Sequence, residues 1–339
     1  MEIKQGNVQF KVSKAATALP PNTPVDNLEI INFLKKTHKL PTAEKVDRLV
    51  FEHFRLKRRY MSKRPWDQEG ICTTFDLCLD ASRQVVEEAA KVDLVVHGTT
   101  TSSRYSGSQA TEIAHHLGQK CAVFEIKNGC STSIAALNLA MGLLPQYRTI
   151  LVTCAETMSH LIHPDAKDDH LSLADGGAAL LLEREDQEPT YELLYFTQGS
   201  DGAFVDAYTT PGTLPPTLDQ LERGSYYTQG DMRVMGEVSG KYYLEMLTAL
   251  QQHLPLEEVS WFIFHQANWA IIEEMRVRFE IPMEKIIYHC HEVGNIGGAS
   301  VLYSLADSIT QSVFKKGDVC AMVSVGGGIN FGLQVWRHL

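Results

Sequence analysis

Two hydrophobic rhythms alternate along the chain, and the order in which they alternate occurs twice. A helix-spaced run from Thr73 to about Lys91, opened by a Thr-x-x-Asp cap of Thr73 and Asp76, leads into the β-branched run VDLVVHGTTTSS. The apolar run AVFEI then turns into a helix-spaced run carrying Ile134, Leu137 and Met141, followed by the strand-like RTILVTCAET and LADGGAALLLE. In the second half a helical run near 236–253 leads into VSWFIFHQANWA, then KIIYHCHEVGNIGGASVLYSLADSI, DVCAMVSVGGG and INFGLQVWR. Strand, helix, strand, helix, strand and a hairpin-like last strand thus appear in each half, the signature of a duplication. The strand runs are nearly continuous in Val, Ile and Leu, as strands covered on both faces are. The pattern predicts an α/β protein of two βαβαβ-type halves with largely parallel strands.

The halves span 1–185 and 236–339. Residues 186–235 between them, with the stretch TTPGTLPPTLDQLERGSYYTQG, read as a connecting or cap segment crossing the surface. At 339 residues, 44% of them hydrophobic and 21% charged, the chain can bury a large core as one big or two medium domains. MEIKQGNVQF lacks a basic-then-apolar signal pattern, and no apolar run approaches the roughly 18 residues of a membrane span, so a cytoplasmic protein without membrane partners is expected. The seven cysteines are odd in number and include no Cys-x-x-Cys pair, which argues for thiols over disulfides or structural zinc. A formal charge of −10 disfavours a general nucleic-acid surface. The basic cluster RLKRRYMSKR (55–64) is either a solvated face or a contact for a phosphate-bearing ligand.

Candidate chemistry centres on Cys130, at the corner where AVFEI becomes a helix. A helix N-terminus presents unpaired N–H groups and partial positive charge, which favour a thiolate and can hold an oxyanion. Gly129, Ser131 and Ser133 leave room for a substrate. Free cysteine is also a common core filler, so local sequence alone leaves both readings open. Aligning the repeats places the corner of Asn295 (HEVGNIGGAS) opposite that of Cys130 and sets WFIFHQAN, with His265 at its end, opposite LVVHGTTT. Three polar side chains then stand at strand ends, where open α/β folds collect ligands. His289 and His291 form a His-x-His pair without a third ligand in view, so no metal is expected.

FIFHQANWAIIEEM, EVGNIGGAS, SVGGGINFG and LADGGAALLLE resemble segments of the thiolase-fold condensing enzymes, and most of all β-ketoacyl-acyl-carrier-protein synthase III, in order from about residue 45 to the C-terminus. The resemblance implies a five-layer αβαβα fold and a triad of Cys130, His265 and Asn295. It also implies an oxyanion hole from the N–H groups of Cys130 and Gly328, with substrate contacts at Ser106, Lys167 and Asn268. Cys130 would take an acyl group from a CoA or acyl-carrier-protein thioester, and His265 and Asn295 would stabilise the enolate formed as a malonyl thioester loses carbon dioxide. No cofactor is required, and the pathway would be fatty-acid or secondary-metabolite, polyketide-like, biosynthesis. A homodimer is expected through pairing of CAVFEIKNG with its twin, since Ala122, Val123, Phe124 and Ile126 would otherwise leave an apolar edge; an ordinary buried strand is the alternative.

Several positions depart from the family pattern. Leu49 stands where a CoA-stacking tryptophan is usual, while Lys167 keeps positive charge at an adenine-side arginine position. Ala270 replaces a carrier-docking arginine, with Arg276 and Arg278 on the same expected helix, and Ser106 replaces a bulky phenylalanine, leaving space for an acyl group larger than acetyl. Two other functions stay open: an acyltransferase of this fold acting on a hydroxyl or amine, which the intact Asn295 disfavours, and a non-catalytic partner subunit, which Cys130 disfavours.

Overall fold

The computed structural model describes residues 1–184 and 188–339, so the boundary drawn at 185/186 lies outside the described residues. The principal strands are β1 (Lys4–Ala18), β2 (Leu94–Gly98), β3 (Ala122–Ile126), β4 (Thr149–Thr157), β5 (Asp175–Glu183), β6 (Tyr191–Ser200), β7 (Trp261–Phe264), β8 (Val319–Gly326) and β9 (Asn330–His338). They join in the order β7–β8–β9–β6–β1–β5–β4–β2–β3. Lys4–Phe10 of β1 pairs with β6, and Lys11–Ala18 pairs with β5, so one strand belongs to two half-sheets. Each half repeats one order, β3–β2–β4–β5–β1 and β7–β8–β9–β6, with an isolated bridge from Phe262 to Ile286 standing where β3 flanks β2.

The helices are α1 (Asn27–Leu34), α2 (Ala43–Phe54), α3 (Thr74–Val85), α4 (Gln109–His116), α5 (Thr132–Leu143), α6 (Met232–Gln251), α7 (Trp269–Arg278) and α8 (Ser300–Thr310), with shorter turns between them. Helices α5 and α8 lie between the two half-sheets, α3 and α4 cover one outer face, and α6 and α7 cover the other. This is the αβαβα layering expected from the resemblance. The sequence explains which helices go inside. Helix α5 buries Ile134, Ala135, Ala136, Leu137, Ala140 and Met141, apolar around most of its circumference, as a helix with a sheet on each side must be. Burying one such leucine contributes about 2 kcal/mol. Helix α3 has an apolar stripe on one face only and starts at the Thr73–Asp76 capping box.

Three expectations change. Helix α3 ends at Val85 rather than near Lys91. The sheets are mixed: β2–β3, β2–β4 and β7–β8 are parallel, whereas β4–β5, β8–β9, β9–β6 and both pairings of β1 are antiparallel. Burial on both faces yields the same continuous apolar run whichever way the neighbour points, so sequence pattern does not reveal direction. Finally, the segment 186–235 contributes β6 to the middle of the sheet, and α6 begins at Met232, before the expected limit of 236. Among the described residues no helix is long and apolar enough to cross a membrane.

Candidate active site

Cys130 sits in a single 3-10 turn, Gly129–Ser131, between β3 and α5. Gly129 has φ +57°, and a Cβ there would lie 2.6 Å from the Gly327 carbonyl oxygen, so the corner admits only glycine on both counts. The repeat has the same corner. Gly297, at φ +51°, opens the 3-10 turn Gly297–Ala299 ahead of α8. This register sets Cys130 opposite Gly298 and Asn295 opposite Lys127, a finer match than the sequence alignment gave. Ser133 ties the corners together, donating to the Gly298 carbonyl and accepting from the Leu302 N–H at 3.2 Å.

The resting thiol is held above its ordinary pKa. Burial first, and the Glu156 carboxylate second, push it up to about 12, opposed by a hydrogen bond from the Gly327 N–H. The expected lowering by the helix N-terminus is thus outweighed, because the turn places the sulfur in a desolvated cleft. Glu156 went unnoticed in the sequence. It is fully buried, and its own carboxyl is raised by that burial. It holds the loop after β2 by accepting from the Thr100 N–H at 2.9 Å, the Thr101 N–H at 3.0 Å and the Thr101 hydroxyl at 2.6 Å.

His265 follows β7 and is 4% exposed. Burial lowers its pKa to about 4, so the ring is neutral at pH 7. Its Nδ1 lies 2.7 Å from Ser300 Oγ, while Nε2 is buried and, among the described residues, without a partner. Asn295 Oδ1 accepts from the Gly297 N–H at 3.0 Å, which leaves its NH₂ for another partner. Gln266 braces the same loops, donating to the Ile287 carbonyl and accepting from the His289 and Cys290 N–H groups, each of the latter at 2.8 Å.

Two clefts meet at Cys130. The first is lined by His265, Asn268 and Asn295 together with apolar residues such as Met235, Ile271 and Val325. The second runs the other way, past Gly328, Lys127 and Asn330. Met158, Tyr208, Gly297 and Gly327 line both clefts. The Tyr208 hydroxyl donates to Asp169 at 3.3 Å, and the Thr228 hydroxyl donates to the same carboxylate at 3.0 Å.

Residues 250–338 match the family described as 3-oxoacyl-[acyl-carrier-protein] synthase III C terminal, and residues 124–202 match the companion 3-oxoacyl-[acyl-carrier-protein] synthase III family. Together the matches take in Cys130, His265, Asn295 and the Gly326–Gly328 turn. The chain belongs to the synthase III-like thiolase-fold condensing enzymes. It is 29% identical over 311 residues to the β-ketoacyl-[acyl-carrier-protein] synthase III of Ehrlichia canis, covering 87% of this chain and 92% of that one. It is 28% identical over 332 residues to synthase III 2 of Streptomyces coelicolor, covering 96% and 93%. The fold is shared with synthase III from Pseudomonas aeruginosa, at TM-score 0.83 and 21% identity over 97% of this chain and 98% of that one. A variant of Xanthomonas campestris OleA aligns at TM-score 0.80 and 20% identity over 98% and 99%.

In this condensing enzyme the residues expected from sequence divide into two groups. Cys130, His265, Asn295 and Asn268 gather around the first cleft. Asn268 also caps α7, its side chain accepting from the Ala270 N–H at 2.9 Å. Gly328 lines the second cleft, but the amide that reaches the Cys130 sulfur is that of Gly327. Ser106 is exposed in the loop before α4 and is not among the residues lining either cleft. Lys167 is exposed at the start of a short helix, also away from both clefts.

The basic cluster is neither wholly solvated nor free. Arg59 is fully buried against Asn27, Arg58 pairs with Glu292, and the Arg55 guanidinium lies 5.0 Å from the Trp269 ring centroid. Arg276 is held by Glu273 at 2.7 Å. His289 pairs with Asp307 at 2.8 Å, whereas His291 Nδ1 lies 2.9 Å from the Tyr288 carbonyl, so the two imidazoles turn to different partners.

Proposed function

We propose that Cys130, His265 and Asn295 carry out a decarboxylative condensation in two half-reactions. The observation that carries this reading is the first cleft. There a cysteine sulfur, an unpartnered His265 Nε2 and the open NH₂ of Asn295 share one cavity. In the first half-reaction Cys130 Sγ forms a bond to the acyl carbonyl carbon as the carbon–sulfur bond of a CoA or carrier-protein thioester breaks. The thiol proton leaves with the departing thiol. The Gly327 N–H, already directed at the sulfur, and the Cys130 N–H are the donors for the oxyanion.

In the second half-reaction a malonyl-type thioester sets its carbonyl oxygen between His265 Nε2 and Asn295 Nδ2. Loss of carbon dioxide leaves an enolate, which these two donors stabilise before its carbon attacks the acyl-Cys130 thioester. The role requires His265 to carry its proton on Nε2, with the Ser300 hydroxyl donating to Nδ1. A neutral ring is already ensured by burial. Glu156 positions the loop beside the nucleophile, and no resident cofactor takes part. The exposed edge strand β3, with Phe124 44% exposed, supports assembly as a homodimer through that edge.

Intact-mass measurement after incubation with acyl-CoA tests the assignment. An adduct on Cys130 that is lost in Cys130→Ala is expected. His265→Ala and Asn295→Ala should still be acylated while condensation falls by roughly 10²-fold or more, the scale of losing an oxyanion donor. An adduct that persists in Cys130→Ala overturns the reading.

A further inference from the structure

The cleft that holds His265 and Asn295 receives the extender thioester, so the acyl group on Cys130 must extend into the other one. That second cleft differs in chemistry from the first. Beside Met158, Leu161 and Val205 its wall carries Thr100, Lys127, Thr209, Thr210, Thr228 and Asn330, and among the described residues Lys127 is its one charged lining residue. The first cleft is lined by an acidic residue instead, Asp169. Beyond Thr100, Leu161 and Thr210 the second cleft continues into a recess edged by the hydroxyl-bearing Thr74, Ser102, Ser103, Thr157 and Tyr226. The Thr100 hydroxyl is engaged by Glu156, whereas among the described residues no side-chain hydrogen bond or ion pair occupies the Lys127 ammonium or the Thr209 and Thr210 hydroxyls.

Lys127 holds a telling place in the duplicated fold. It precedes Gly129 by two residues, as Asn295 precedes Gly297. Each cleft therefore has a polar side chain at the same step before its corner. Asn295 is the neutral donor that suits an enolate oxygen, while Lys127 is a full positive charge on the starter side. A hydrocarbon tail in the second cleft would cover hydroxyl groups without satisfying them. A carboxylate would accept from both the ammonium and the threonines, and hydrogen bonds between ionised partners are about twice as strong as neutral ones.

We propose that the acyl group accepted by Cys130 ends in a carboxylate, held by Lys127 and the neighbouring threonine hydroxyls, so that the enzyme is primed by the monothioester of a short dicarboxylic acid. This rests on Cys130 being the acylated residue. In the priming step Cys130 Sγ bonds to the thioester carbonyl carbon, the CoA carbon–sulfur bond breaks, and the thiol proton passes to CoA. The distal carboxylate takes no part in bond making.

The experiment compares initial acylation rates for glutaryl-CoA against pentanoyl-CoA, and for succinyl-CoA against butyryl-CoA, read by intact mass. In the unaltered protein at least one dicarboxylic thioester should load roughly tenfold or more faster than its neutral counterpart, the scale of one charge-assisted contact. Lys127→Met should bring that ratio close to one, and Lys127→Arg should largely restore it. Equal or faster loading of both neutral acyl groups by the unaltered protein overturns the proposal, whatever the variants do. So does a ratio that survives Lys127→Met. Adducts of neutral acyl groups on Cys130 would leave the nucleophile assignment standing in either case, whereas no adduct from any thioester would remove both.

Discussion

Replacing Ser300 by alanine isolates the one contact that can set the proton position on His265. Ser300 Oγ is 2.7 Å from Nδ1, and both residues are buried, at 4% exposure each. The substitution removes a hydroxyl and leaves Nδ1 unsatisfied where water is excluded, a cost of about 1–3 kcal/mol. If that cost falls on the ring state that donates from Nε2, the barrier to decarboxylation rises by the same amount. Each 1.4 kcal/mol or so is a factor of ten, so condensation should slow by roughly 5- to 150-fold. Acylation of Cys130 should remain within about twofold, because the contact lies on the extender side. Carbon dioxide release from a malonyl thioester measures the first quantity, and intact-mass loading measures the second. Ser300→Ala enzyme that condenses at the normal rate would refute the tautomer argument. Equal loss of both half-reactions would refute the division of labour and make His265 the base that takes the Cys130 proton.

Two further outcomes are expected. The pKa of His265 is lowered from 6.5 to about 4 in the folded chain, so on acidification the unfolded state binds the proton first; its contribution is greatest above pH 6.5 and is lost as the pH falls toward 4. Because Asp175, raised to about 6, acts in the opposite sense, the measurement is a difference: urea unfolding at pH 7 and pH 4.5 should show His265→Gln losing less stability than the parent by roughly 2–3 kcal/mol. Light scattering at micromolar concentration should give twice the chain mass of 37.9 kDa, and a fully active monomer would exclude pairing through β3.

The parts of the site that were legible in sequence are those where chemistry and turn geometry occupy one short stretch. Cys130 stands one residue after a glycine whose φ is positive, Asn295 two before another, and His265 at the end of an apolar strand. What stayed hidden is assembled across the chain. Ser300, Glu156 and Gly327 are ordinary in their own segments, and they matter because they meet His265, the Thr100 loop and the Cys130 sulfur. The thiol's high pKa belongs to the same class, since burial is a property of the packed cleft. Strand β1 was missed for another reason. Its first six residues are exposed or half-exposed and largely polar, KQGNVQ, so no apolar run marks them. The duplication was readable because repeated order survives even where individual strands do not announce themselves.

Strand β1 has a consequence for how the chain comes together. Its fifteen residues reach across both half-sheets, yet their partners lie at 177–183 and 191–196. During synthesis the central strand therefore emerges well ahead of its partners and cannot pair until nearly two hundred residues have followed. Until then both edges of the strand are open to other chains. Closure over such a sequence separation is slow compared with forming the helices, because loop entropy must be lost before the contacts are gained. Once β1 is in place it is the seam between the repeats. Two units that descend from one ancestral pattern are thus bound to fold as a single cooperative body, and the corners that carry Cys130 and Asn295 meet only when that seam has closed.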